Sequence, residues 1–261
     1  MKPNSKDTYR RLMILKHLII HSYSSISSEY LKQSAEHWTT FEKEEFEKEL
    51  EKNMLKNISS MKSFGIWEYA TKTEIDFLSS SGSKMDSKSQ INANWRMEAA
   101  VILMWALKLV DEFPELNEQT SPDLLKIVKV KKLGLFSSGL ILRPHEEISK
   151  MRDIIETWHW RVNTRRLIED NFNFQPDEKM KKAGINKLDD IVRMVAKSAY
   201  TNRDIDEIID DDFVFKGQPF RNINKNDFNE ATSLITERHF ALNWLCGYSP
   251  NNNWDETPTD T

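Results

Sequence analysis

Near the C-terminus, Glu237, Arg238 and His239 stand side by side at the head of the apolar run "FALNWLCGY". A carboxylate, a guanidinium and an imidazole are the groups that move protons and hold anions. On a helix, Glu237 shares a stripe with Ala241 and Trp244, and Arg238 shares the neighbouring stripe with Leu242 and Leu245, because residues three and four apart lie on one face. Both charges therefore point toward apolar neighbours, where an unpaired charge is costly. Partners of matching sign exist in Arg96, Glu98, Arg143, Glu147 and Arg161. Arg96 falls in the first turn of an apolar helix, where the macrodipole disfavours a cation, so a carboxylate must hold it. Two arrangements satisfy these demands. In the first, Arg96, Glu98, Glu147, Arg161, Glu237 and Arg238 form a structural polar network that locks helices together. In the second, Arg96, Arg143 and Arg238 converge on an anionic ligand beside Trp254, with Glu237 and His239 as acid and base. The first is the simpler expectation, since structural ion-pair networks cluster charges much as active sites do.

Other residues that bear chemistry point less far. His17 and His21 sit four apart, a spacing that can present two imidazoles to one metal, but no glutamate lies between them as in H-E-x-x-H. The acidic run from Asp204 to Asp212 lacks the glycine and terminal glutamate of a calcium-binding loop and is expected to be solvated. Cys246 follows His239 by two helical turns, about 10 Å, too far for direct activation. No G-x-S-x-G, Walker or G-x-G-x-x-G pattern occurs. No metal site and no cofactor are therefore expected. Of the tryptophans Trp95, Trp105, Trp158, Trp160, Trp244 and Trp254, four fall on helical stripes, where core packing is the ordinary role. Trp254 stands in a polar tail and is expected to anchor it.

The net charge of -4 gives no general attraction to phosphate backbones, so nucleic acid is not an expected partner. A single cysteine excludes an intramolecular disulfide and suits a reducing, cytoplasmic setting. The longest apolar run, Ala99 to Leu107, is far short of the roughly 20 residues a membrane span needs. The basic and apolar N-terminus is interrupted by Lys16 and His17 and reads as a helix rather than a leader.

Low glycine and proline content, 7 and 8 residues, favours helix over tight turns. Leu12, Leu15 and Ile19 give a first amphipathic helix with Lys16 facing away. Thr39 with Glu42, and Thr71 with Glu74, are capping boxes; the first precedes a stripe of Phe46, Leu50, Met54 and Ile58. Residues 79–90 show no periodicity and read as a flexible loop. Asn94 can cap a helix running toward Pro114 that is apolar on every side from Ala99 to Leu107, so it belongs at the centre of the fold. Ser121 and Pro122 suit a helix start, with a strand still open for "DLLKIVKV"; "LGLFSSGLIL" is equally ambiguous. Pro144 opens a long helix through Ile148, Met151, Ile155, Trp158 and Val162, and Asn186 can cap another through Ile191 and Val195. The alternation of Phe213 and Phe215 before Gly217 and Pro219 predicts a small hairpin, and a last helix spans about Asp227 to Leu245.

Three stretches, "WRMEAAVILMWAL" at Trp95 to Leu107, "LRPHEEI" at Leu142 to Ile148, and "ERHFALNWLCGY" followed by "WDETPTDT", resemble the bacterial family known as domain of unknown function 4272. The resemblance extends over most of the chain beyond Gly65; Ser24 to Met61 fit it less well. It implies free-standing soluble proteins with no assigned reaction, cofactor or catalytic residue, and so a shared fold without a mechanism.

The expectation is a mainly α, single-domain, bundle-like fold over residues 1–261, with room for a minor β-hairpin, a loop at 79–90 and an extended tail at 249–261. The core is the Ala99 to Val110 helix, surrounded by the Pro144 and Asp227 helices. The functional expectation is a non-catalytic binding or protein-interaction module whose groove lies beside the tail. Its alternative is a hydrolase acting on an anionic substrate through Glu237, Arg238 and His239.

Overall fold

The computed structural model describes residues 2–24, 36–80, 85–129 and 139–259. Among these the chain is mainly helical, with one small antiparallel sheet. Helix α1 is Ser5–Ser24, α2 Thr40–Phe64, α3 Lys72–Leu78 and α4 Ser87–Ala106. They are followed by α5 His145–Glu169, α6 Glu178–Lys182, α7 Leu188–Thr201, strands β1 Ile208–Ile209, β2 Asp212–Phe215 and β3 Gln218–Pro219, and helix α8 Lys225–Cys246. No described helix is long and apolar enough to cross a membrane.

Local chemistry explains most boundaries. Both capping boxes form: Thr39 accepts from the Glu42 amide while the Glu42 carboxylate accepts from Thr39, and Thr71 and Glu74 repeat the exchange. Leu50, Met54 and Met61 are the buried face of α2, which ends at left-handed Gly65. Pro144 precedes α5, and Ile148, Ile155, Trp158 and Val162 are its core positions. Ser121 caps a 3-10 turn at Pro122–Ile127, so "DLLKIVKV" begins as helix rather than strand. Asp210–Asp211 and Lys216–Gly217 all have positive φ, the geometry of two-residue hairpin turns that match strand twist.

Other boundaries depend on distant residues. Helix α4 starts at Ser87, capped by Asp86, rather than after Asn94. Residues 87–90 of the expected loop are thus helical, held by the Asp86 cap and by the Gln90 amide, which donates to the Ser22 carbonyl at 2.8 Å. Residues 81–84 lie outside the described residues, as do 130–138, which include most of "LGLFSSGLIL". Helix α4 stops at Ala106, short of Pro114, because Arg143 takes its terminal carbonyls: the amide donates to Ala106 at 2.8 Å and Nε to Trp105 at 2.9 Å. In α7 the cap is Lys187 rather than Asn186, since Asp190 accepts from the amides of both.

Ala99 to Leu107 are fully enclosed, as a helix without a polar face requires. The enclosing elements differ from expectation. Helix α4 packs chiefly between α1 and α8, and α5 packs on α8. Helix α1 takes this place because Tyr9, Met13, Ile14 and Leu18 are buried along with Leu12, Leu15 and Ile19. Even Lys16, expected to face away, donates to the Leu125 and Val128 carbonyls at 3.0 and 2.6 Å.

The tail is folded rather than extended. It makes 3-10 turns at Pro250–Asn252 and Trp254–Glu256. Trp254 is 1% exposed, its ring 4.8 Å from Phe240 and 5.2 Å from Trp244, under the Arg11 guanidinium. Burial of one indole thus draws a polar segment onto the α8 surface.

Candidate functional site

The charged residues singled out by spacing sort into separate pairs rather than one network. Arg238 is wholly buried. Its Nε and Nη2 donate to Glu98 Oε2 at 2.9 and 2.7 Å, and its other three N–H groups go to the carbonyls of Pro114, Glu115 and Glu118. Glu98 in turn accepts from the amide and hydroxyl of Thr120. All five N–H groups are thus bonded, on four acceptor atoms, and the pair ties the 114–120 loop to α4 and α8. Burial draws the Arg238 guanidinium below its ordinary value, and Glu98 pulls the other way.

Arg161 pairs with Asp212 at 2.7 and 2.8 Å, and Arg221 adds its amide and Nε to the same carboxylate. Burial alone would raise the Asp212 carboxyl, but Arg161 and Arg221 outweigh it and hold it below the usual carboxylate range. This corrects the solvated reading of the acidic run: Asp212 is its structural residue and is fully enclosed. Arg143 sits over Trp105, with Nη2 on the Asp111 carbonyl at 2.6 Å and Nη1 on Glu147 at 2.7 Å. Arg96, Arg143 and Arg238 therefore hold separate acceptors and do not converge on one anion site.

His239 is also enclosed. Its ring lies 4.8 Å from that of His159, and Asn243 Nδ2 approaches its Nε2 at 3.2 Å while donating to the Pro258 carbonyl at 2.8 Å. Arg152 Nε orients Asn243 by donating to Oδ1 at 2.9 Å. With Asn243 donating, the ring proton sits on Nδ1, which is buried without a hydrogen-bond partner. Burial first, then His159 and Arg152, push the imidazole down to about 3, so it is neutral at neutral pH. The Cys246 thiol is pushed up to about 11 by burial and stays protonated.

His17 and His21 serve different neighbours: His17 Nδ1 meets Asn57 Oδ1 at 2.6 Å and His21 Nε2 meets the Ser80 carbonyl at 2.8 Å. Among the described residues no three of His, Cys, Asp and Glu come together as a metal site would require.

Arg96 and Glu237 each border open space. They pair at 3.0 Å with Arg96 lying over the Phe240 ring. Burial raises the Glu237 carboxyl, Arg96 lowers it, and Glu98 adds to the rise. Arg96 lines a groove of about 370 Å³ and Glu237 a cavity of about 510 Å³. The groove lies beside the tail: Leu18, Phe77, Met85 and Trp254 supply apolar surface, and Asp76, Asp86 and Asp255 supply carboxylates. The cavity is walled by polar residues of α4, α5 and α8, including His159.

Sequence reasoning missed His159 and the three groove carboxylates. His159, Asn163 and Arg166 recur at four and three residues, a polar stripe that was readable on α5. The carboxylates come from α3, the α4 cap and the tail, separated by long stretches of chain, so no local pattern links them.

No curated protein and no solved structure matches the chain. A family match does exist. It takes in Trp95 to Leu107 and Leu142 to Ile148, and it also includes residues 30–61, where the resemblance is weaker; the stretches from Glu237 onward lie beyond it. Residues 30–183, more than half of the chain, match the family described as Domain of unknown function (DUF4272), and the chain belongs to that family.

Proposed function

We propose that the protein is a non-catalytic binding module of the cytoplasm that docks a segment of another protein in the groove beside its C-terminal tail. The observation that carries this reading is the groove's make-up, an apolar floor of Leu18, Phe77, Met85 and Trp254 under the carboxylates of Asp76, Asp86 and Asp255. Nearby charges are already matched, Arg96 by Glu237 and Glu74 by Arg11 at 2.7 Å. Among the described residues the three aspartates have no ion-pair partner, so the groove is net negative. Its complement is a segment that presents a lysine or arginine next to an aromatic or aliphatic side chain.

An array of short peptides of varied sequence tests this. Binding is expected to favour a basic residue adjacent to an apolar one, to weaken with added salt, and to be lost in Asp76→Lys/Asp255→Lys with the melting temperature unchanged. Binding indifferent to peptide charge, or unaltered by the double reversal, would overturn the reading.

The hydrolase alternative has less support. Its guanidinium, Arg238, has every N–H bonded inside the protein, and its imidazole, His239, is enclosed and neutral. An acid–base pair must reach the substrate.

A further inference from the structure

Apolar burial and hydrogen bonds fix different things about the C-terminal tail. Trp254 is enclosed against Phe240 and Trp244 beneath Arg11, but apolar burial is non-directional and does not set the register of the residues around it. Hydrogen bonds do, because they weaken steeply away from their preferred angle. Two of them run from α8 to the tail and bracket the indole in sequence: Trp244 Nε1 donates to the Asn252 carbonyl at 3.1 Å, and Asn243 Nδ2 to the Pro258 carbonyl at 2.8 Å. Bonds such as those from the Asp255 amide to Asn253 and from the Thr257 hydroxyl to the Trp254 carbonyl are internal to the tail. They shape its turns without tying them to the body.

Of the two α8 donors, Asn243 is the one whose direction is set from outside its own helix. It is buried, and Arg152 of α5 donates from Nε to its Oδ1 at 2.9 Å. Glu156 holds that guanidinium through both Nη1 and Nη2. Turning the Asn243 amide end for end would set Nδ2 against the Arg152 donor and Oδ1 against the Pro258 carbonyl, like against like at both ends. The His239 Nε2 acceptor, 3.2 Å from Nδ2, favours the same orientation. One orientation therefore suits all three neighbours, and in it Nδ2 is committed to the tail. Pro258 follows Trp254 by four residues and Asp255 by three, and these two residues are the tail's contribution to the groove.

We propose that Asn243 is a positioning residue of the groove: oriented by Arg152, it holds the tail through the Pro258 carbonyl in the register that presents Asp255 and the Trp254 ring to a docked segment. Asn243 acts through the tail and touches no ligand itself. Its role in docking rests on the peptide-binding reading, whereas its hold on the tail does not.

The test joins amide hydrogen exchange of the full chain, without ligand, to calorimetric titration with the tightest basic–apolar peptide of the array. Asn243→Asp keeps the side-chain shape and the acceptor for Arg152 but has no donor for Pro258. Exchange at Trp254 to Thr257 is expected to quicken about tenfold while the α4 and α8 amides stay unchanged, and peptide affinity to fall about tenfold. Positioning also predicts a coupling that a general loss of structure does not give: Asp255→Asn should weaken binding in the parent and add little in Asn243→Asp, while Asp76→Asn should cost the same in both. Arg152→Met leaves Asn243 in place but frees its amide to turn, and it is expected to act in the same direction, so a misfolded Asn243→Asp does not remove the test. Unchanged tail exchange in both variants, or an Asp255→Asn effect of equal size in parent and variant, would overturn the proposal. If no peptide binds the parent, the docking reading falls, and the exchange comparison still decides whether Asn243 holds the tail.

Discussion

His239 is buried as a neutral ring, and the fold resists its protonation. The imidazole lies at about 3 in the folded chain and near the ordinary 6.5 in the unfolded chain. As pH falls below 6.5 the unfolded chain takes up the proton first, so stability present above that value is lost toward 3, by up to about 1.4 kcal/mol per pH unit. His17 and His21, both lowered chiefly by burial, act in the same direction. Melting temperature should therefore fall from about pH 7.5 to about pH 5. His239→Gln should make that fall shallower; a slope identical to the parent would assign it to other groups. Glu98→Gln removes the partner of a buried guanidinium and should cost roughly 3–5 kcal/mol in urea unfolding, whereas Glu98→Leu/Arg238→Met together should cost less than the single change. A result in which the double variant is the worse of the two would show the pair to be net stabilising. Spacing had already shown that Arg238 must be paired, because it sits on an apolar stripe. Which carboxylate pairs it was not readable, because Glu98 is 140 residues away in sequence.

At the level of elements, the two capping boxes were legible, whereas the starts of α4 and α7, capped by Asp86 and Lys187 rather than Asn94 and Asn186, and the end of α4 were not. A capping box acts within four residues, so Thr39 with Glu42 and Thr71 with Glu74 announced their helices. The end of α4 depends on Arg143, which arrives from the far side of a long connection. Helix α8 ends at Gly247, in the left-handed region at φ 82, where an added Cβ would lie 2.9 Å from Lys2 Cγ. Gly184 has a similar φ of 81 with open space around it. Gly184→Ala should therefore cost about 1–2 kcal/mol from backbone strain, and Gly247→Ala should cost that much plus whatever displacing Lys2 requires. Thermal melts of the two variants compare these directly. Equal losses would mean that the Lys2 contact yields freely.

Across the molecule, Trp254 joins the tail, α8 and the floor of the groove. Trp254→Ala should cost roughly 3–5 kcal/mol of stability, as for other enclosed tryptophans. It should also weaken peptide binding more than Asp255→Asn does, since it removes floor as well as anchor. Retained stability in this variant would show that the tail is held instead by the Asn243 bond to Pro258.

The amino-acid sequence by itself indicated most of the long helices, a turn after Phe215, that Ala99 to Leu107 lie inside, and that Trp254 anchors the tail; it left Ser87 to Gln90 as loop and did not mark the short helix Glu178–Lys182. Periodicity, caps and turn residues work over a few positions and need no knowledge of the rest of the chain. The order in which helices pack, the division of one expected charge network into separate pairs, the enclosure of His239 and Asp212, and the two spaces flanking Arg96 and Glu237 required the folded chain. Charge partners and cavities form between segments remote in sequence. Many pairings satisfy the same local rules, and packing of the whole core selects among them.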